Sequence, residues 1–415
     1  MSKDLRKNEP GSFIQFLAVA AAACLVFGIM QGVHDNYGIM MKALVNTTGQ
    51  SYDDISFIIG IGALLYGITQ AFWGAMALRW SNGTVMLAGA ALMAAGLIMT
   101  PFCHSFFTLL ICFGIILPSG TGALGSGIVM GAITPVIGAR RAAGLVGMLQ
   151  ASAGIGDAIM SPSLQALISW KSVHVGMGAF GALVIVTIPV IIWIRILSGK
   201  AETSEAEANA AAAAPAEKLT FTSVLREGIK DPLYRRIFIG FSTCGFNMSI
   251  IESHLFTQYV SWGIPESKSS FIMMIYGILT MIGALVSGYL CTKMAMKIVL
   301  GGVYFIRVLI SIAMLTLAPS FGFAVIATGL LGMSGDSTVP PTMSLITRKF
   351  GPKKLGVLYG VALTGHQVGA FLSSWFGGYC YINFGNYRLL WIANMCLALM
   401  AAISSWSINE KNLAR

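Results

Sequence analysis

Arg140-Arg141-Ala142-Ala143-Gly144-Leu145-Val146-Gly147 opens one long apolar stretch, and Lys353-Lys354-Leu355-Gly356-Val357-Leu358-Tyr359-Gly360 opens another 213 positions later. The order of signals is the same in both: a basic pair, then small and apolar residues. Gly74 and Gly288 repeat the relation, each near the end of an apolar stretch and ahead of a basic turn. A helix needs roughly 20 mostly apolar residues to cross the hydrocarbon core of a bilayer. Outward from the two repeated stretches, segments of that length fall at 13–33, 55–78, 84–103, 106–134, 142–168, 174–194, 237–260, 270–291, 298–318, 321–347, 355–381 and 387–407. These are spans 1 to 12. With 56% hydrophobic and 10% charged residues, the chain cannot cover a core with a water-facing surface of ordinary polarity. The sequence therefore predicts an all-α membrane protein with twelve transmembrane helices in two pseudo-symmetric six-helix bundles, 1–194 and 237–415. The segment 195–236 between them is Ala-rich and Glu-bearing, and its run Ala210-Ala211-Ala212-Ala213-Ala214-Pro215 suits a partly helical cytoplasmic linker.

Charge sets the orientation, because Lys and Arg next to apolar segments resist translocation. Of the 26 basic residues, 21 fall in the N-tail, the linker, the C-tail and every second turn. Lys42, Lys171, Lys268 and Arg388 fall on the other side, and Arg307 lies inside span 9. Both termini are predicted to be cytoplasmic, in the inner (plasma) membrane, and the net charge of +10 reads as a topology signal rather than a nucleic-acid surface. Span 1 is longer than a secretory apolar region and lacks a clear small-residue cleavage site, so it reads as retained. The seven cysteines lie in or at the ends of spans without C-x-x-C spacing and read as packing residues.

No zinc spacing, nucleophile elbow or Gly-x-x-x-x-Gly-Lys loop is present, so the sequence offers no carrier for enzymatic chemistry, for ATP drive or for a cofactor. Gly120-Thr121-Gly122-Ala123-Leu124-Gly125 has the formal dinucleotide pattern, but it sits inside an apolar span beside Gly127 and Gly131, where glycines serve close helix packing.

Ionisable groups at bilayer depth are costly, and those retained are expected to face protein or water. They are Asp157 in span 5, Glu252 and His254 in span 7, Arg307 in span 9, Asp336 in span 10 and His366 in span 11, with His34 and Asp35 at the outer end of span 1. His366 with Gln367 is the leading candidate for binding a polar solute or relaying a proton, since imidazole and amide together offer directional donors and acceptors. A structural hydrogen bond between helices is the alternative. Glu252 and His254 are two positions apart, hence on different faces, and Glu252 is a candidate site for a coupling proton. Arg307 and Asp336, opposite charges on neighbouring spans, are expected to pair. Gln31, Gln150, Tyr37, Tyr66, Tyr276 and Tyr359 are weaker candidates to line a cavity, and none of these residues forms a metal set by spacing.

Across nearly its whole length the chain resembles the major facilitator superfamily, whose two halves are parallel repeats with the binding site between them at mid-membrane. That family carries Gly-x-x-x-Asp-Arg after span 2; the stretch here is Gly74-Ala75-Met76-Ala77-Leu78-Arg79, with Leu78 in place of the acid. The second half is similar to the monocarboxylate-transporter-like branch, which includes oxalate/formate antiporter relatives. The residues carrying this are Cys244-Gly245-Phe246, His254-Leu255, Tyr304 with Arg307, Gly335-Asp336-Ser337-Thr338-Val339-Pro340-Pro341-Thr342, Phe350-Gly351 and Gly365-His366-Gln367-Val368-Gly369-Ala370. That branch commonly places a basic residue in span 8, whereas residues 270–291 carry no charge. The resemblance implies that Arg307, on a peripheral span, supports span 10, and that Asp157 faces the other half.

The resemblance implies a secondary active transporter of a small organic solute, with a carboxylate as leading class, working by alternating access as a monomer in the lipid bilayer, with protons as a further partner. Proton-coupled efflux of an apolar or cationic compound is the alternative within transport. A non-transporting membrane sensor or lipid-handling protein is the alternative of another class. No nucleic acid or metal enters any of these readings.

Overall fold

The computed structural model describes residues 13–209 and 221–410, and every regular element among them is helical. The run Ala210 to Pro215 lies outside the described residues. Twelve rods cross the molecule at the positions expected. Span 1 is Phe13–His34, continued past a bend at Asp35 and Asn36 by Tyr37–Thr48. Spans 2 and 3 are Tyr52–Trp80 and Asn82–Met99; span 5 is Ala139–Trp170, and span 6 runs Val173–Asn209, into the segment read as linker. A short helix, Phe221–Lys230, precedes span 7, which begins at Pro232. Spans 8, 9, 11 and 12 are Glu266–Lys293, Met296–Thr316, Pro352–Phe384 and Arg388–Trp406.

Three further spans are interrupted in mid-course. Span 4 passes through a π-helical section, Leu110–Ile116, and span 7 through another, Ile250–Leu255. Span 10 breaks between Phe321–Ser334 and Val339–Phe350 at the 3₁₀ turn Asp336–Thr338. Irregular backbone at membrane depth survives only where protein satisfies the freed polar groups, so these breaks mark an internal face. Among the described residues, eight helical segments are long and apolar enough to cross a bilayer by length and composition alone. Spans 5, 7, 10 and 11 fall outside that set. All four carry ionisable side chains into the interior: Asp157 in span 5, Glu252 and His254 in span 7, Asp336 in span 10 and His366 in span 11.

Span 2 packs along span 11 and span 5 along span 8, and these two pairs form the seam. Within the halves span 1 crosses span 5, and span 7 crosses span 11. Two features show how faithfully the repeat is kept. Gly138 and Gly351, 213 positions apart, both adopt φ +83° at the turns opening spans 5 and 11, a conformation that L side chains rarely take. Gly156 and Gly369, again 213 apart, lie where a Cβ would overlap a backbone carbonyl of the crossing helix, Gly28 in one half and Ser242 in the other. Gly156→Ala and Gly369→Ala are therefore each expected to force the crossing helices apart and destabilise the protein by about 1–3 kcal/mol, as overpacking does. Thermal melts of the purified variants check this; unchanged melting in both would show that the crossings have slack.

Candidate functional site

The bend in span 1 is the centre of the polar interior. The sequence reading put His34 and Asp35 at the outer end of this span because the apolar run stops there. In the structure the helix resumes at Tyr37, so both residues stand at mid-course. Gln31 Nε2 donates to Asp35 Oδ1 at 2.7 Å, and His34 Nδ1 lies 3.2 Å from the same oxygen. The Asn36 amide donates to the Gly32 carbonyl at 2.7 Å and to Asp157 Oδ1 at 2.9 Å, tying span 1 to span 5. Asp157 is 1% exposed, and its second oxygen has no hydrogen-bond partner. The rings of Tyr66 and Tyr37 pack on His34 at centroid distances of 4.6 and 5.1 Å.

Glu252 reaches this cluster from the other half. It sits in the π-helical section of span 7, and its carboxylate, a His34 ring nitrogen and an Asp35 oxygen all lie within 4.8 Å of one another. Gly38 makes the approach possible, because a Cβ there would press on the carbonyls of Glu252 and Ser253. One imidazole and two carboxylates suit a proton, an ammonium group or a metal cation, so the geometry adds a cation-accepting set where the sequence reading assigned no metal ligands.

Arg307 and Asp336 do not form the ion pair expected from sequence. Arg307, 1% exposed, donates through Nη2 to the carbonyls of Ser334 and Gly335 at 2.5 and 2.8 Å, and through Nη1 to Cys244 Sγ at 3.1 Å. Those carbonyls are the groups released where span 10 breaks, so the guanidinium replaces the missing helical donors and joins spans 7, 9 and 10. Asp336 is half-buried and belongs to none of the ion pairs found among the described residues. It stands within electrostatic reach of Asp35 and His366.

His366 and Gln367 diverge. The His366 ring packs on Phe241 at 5.1 Å with Nδ1 buried and unpartnered, while Gln367 lies against Gly67 of span 2 in the seam. His254 is fully buried and engaged at both nitrogens. Nε2–H donates to the Ser374 carbonyl at 2.9 Å, which leaves Nδ1 to accept from Tyr52 Oη–H at 3.0 Å; Tyr387 Oη then donates to Tyr52 at 2.8 Å. This links spans 2, 7, 11 and 12 across the seam. Nothing in the sequence marks Tyr52 or Tyr387, and Asn36 is marked only by standing next to Asp35.

The seam is shut at the end where spans 1 and 7 finish. Beside the His254 chain, Lys42 Nζ meets Glu266 at 2.5 Å, Gln165 donates to Glu266 at 2.8 Å, and Ser374 Oγ donates to the Ser56 carbonyl at 2.7 Å. Toward the opposite end, Gly74, Gly147, Gly288 and Gly360 of the four seam helices each face open space, with no described atom within 4 Å of a would-be Cβ. One end is closed and the other splayed.

The family model described as Major Facilitator Superfamily matches residues 16–318 and 237–412. The chain belongs to this superfamily: it is a multi-pass membrane transporter, not an enzyme. It is 23% identical over 389 residues, 88% of each chain, to YcxA of Bacillus subtilis (strain 168), described as an uncharacterized MFS-type transporter. It is 25% identical over 164 residues, 39% of this chain and 36% of the other, to monocarboxylate transporter 11 of Mus musculus. In fold it is similar to the crystal structure of a D-xylose-proton symporter, with TM-score 0.70 and 14% identity over 95% of this chain and 98% of that one. It is equally similar to the xylose transporter XylE from E. coli in a partially occluded inward-open conformation, with TM-score 0.71, 14% identity and the same coverage.

Proposed function

We propose that this chain moves a small organic cation by alternating access coupled to protons, as a monomer in the inner (plasma) membrane. The observation that carries the charge reading is the balance at the centre. Asp35, Asp157, Glu252 and Asp336 come from four spans, and the one guanidinium near them among the described residues, Arg307, is spent on backbone carbonyls. An anion would meet acids without a free cation, while a proton or an organic cation would meet partners. His366, with its unpartnered nitrogen, and Gln367 at the seam are proposed to line the path.

A carboxylate remains the second reading, favoured by the partial similarity to monocarboxylate transporter 11. It would require protons to enter with the anion. Flux in proteoliposomes separates the two: a panel of mono- and dicarboxylates and organic cations, with and without a pH gradient, is expected to give gradient-driven movement of a cation. Carboxylate flux exceeding that of every cation would overturn the leading reading.

Both termini and the segment 195–236 are proposed to be cytoplasmic, which makes the splayed end the inner one. The support is the distribution of Lys and Arg. In a cysteine-free background, Thr222→Cys should react with an impermeant maleimide only in inverted vesicles. Reaction from outside intact cells reverses the orientation.

A further inference from the structure

The helix Phe221–Lys230 lies across the foot of spans 7 and 11. Its buried side is Val224 and Gly228, with Gly228 set against Leu358 and Tyr234. Its other side carries exposed Arg226 and Lys230, with Ile229, 54% exposed, beside them; Phe221 at its start is 57% exposed. Arg226 and Lys230 are four residues apart and share a face. The acids nearby are already engaged, Glu227 with Lys354 at 2.6 Å and Asp231 with Lys349 at 3.1 Å. Arg226, Lys230 and Arg235 thus belong to none of the ion pairs found among the described residues.

Beside Arg235 is an apolar groove, bordered on the helix side by Ile229, the neighbour of Lys230. Ile229, Arg235 and Val361 border a cavity of about 310 Å³, which shares Phe238 and Ile239 with a second of about 320 Å³. The second continues down spans 7, 11 and 12 to Leu372 and Met400, both facing outward from the bundle. A single trough therefore runs from Arg235 and the edge of the helix that carries Arg226 and Lys230 along the membrane-facing side of the bundle.

We propose that this trough binds one anionic phospholipid, with the phosphate held by Arg226, Lys230 and Arg235 and an acyl chain laid against Phe238 and Ile239. Charge complementarity selects the headgroup, since basic residues at a membrane surface attract anionic lipid, whereas a zwitterionic headgroup would add its own ammonium to the cluster. The outward-facing apolar walls select a chain supplied by the bilayer over a soluble partner. The site is separate from the polar centre and independent of the transport reading.

Native mass spectrometry of the purified full-length protein tests it, with dioleoyl-phosphatidylglycerol, dioleoyl-phosphatidylcholine and inorganic phosphate as probes. The expected result is retention of one phosphatidylglycerol in preference to phosphatidylcholine, with phosphate alone competing weakly. In the triple variant Arg226→Ala/Lys230→Ala/Arg235→Ala that preference should weaken by on the order of a hundredfold. Ile239→Trp, which fills the trough and leaves the cations, should also lower retention. A control, Lys293→Ala/Lys297→Ala, removes basic residues elsewhere and should change nothing. Equal retention of both lipids, full retention by both the triple variant and Ile239→Trp, or an equal loss in the control overturns the proposal. Competition by phosphate as strong as by phosphatidylglycerol reduces the site to a simple anion site and overturns it too.

Discussion

Arg307→Ala is expected to lower the melting temperature of the purified protein sharply, while Asp336→Asn leaves it nearly unchanged. The guanidinium serves the Ser334 and Gly335 carbonyls, which span 10 releases by breaking, and a buried acceptor left without a donor costs about 1–3 kcal/mol. Two are stranded at once, in a buried setting where Arg307 and Ser334 are each 1% exposed. Asp336 contributes no bond to that arrangement, so neutralising it removes a charge without orphaning a partner. Had the two residues formed an ion pair, each single variant would be damaging and the double variant would recover part of the loss. Here the double variant should melt no higher than Arg307→Ala alone, and recovery toward the wild type would reinstate the pair.

The second large effect is expected at the junction of the halves. The Asp35 and Glu252 oxygens lie within 4.8 Å of one another. Two negative charges at that separation repel by roughly 3–4 kcal/mol at an effective dielectric constant near 20. The arrangement therefore calls for a positive charge, either a proton on His34 or a carboxyl, or a cationic solute. Asp157, Asp336 and His366 act on the same region from spans 5, 10 and 11. Whichever group carries the proton, it is held in the state that brings the halves together here, which is also the state splayed at Gly360. Acid should therefore favour this state and alkali should release it. In a background free of other cysteines, maleimide labelling of Gly360→Cys should speed up as pH falls, after correction for thiolate content. Glu252→Gln removes the repulsion, so labelling should become fast and independent of pH, and gradient-driven accumulation should be lost while exchange persists. Identical pH profiles with and without Glu252 would remove the cluster from the coupling mechanism.

Length of apolar run and placement of basic residues made the twelve spans legible, because bilayer thickness and charge translocation act on composition alone. The duplication was legible too, and the structure extends it to the paired turns at Gly138 and Gly351. What could not be read was where helices break. The apolar run of span 1 stops at His34, so in sequence a bend reads as an end and Asp35 falls at the outer end of the span instead of the centre. The partners of Arg307 are hidden from the sequence for a related reason: the strongest acceptors near it are carbonyls left free only because span 10 is interrupted. His254 finds Tyr52 from 202 positions away, a contact set by how the halves dock.

Along spans 2 and 11 the tight contact of Gly67 with Gln367 is followed by 13 more residues before the helix ends at Trp80. At about 1.5 Å per residue this is an arm of roughly 20 Å. Each degree of rotation at its base moves the tip by about a third of an ångström. The molecule is geared: a displacement too small to break a hydrogen bond at the pivot becomes several contacts made or lost at the mouth. A wedge at the base of the arm, beside Gln367, is consequently where the smallest compound could hold this protein in a single state.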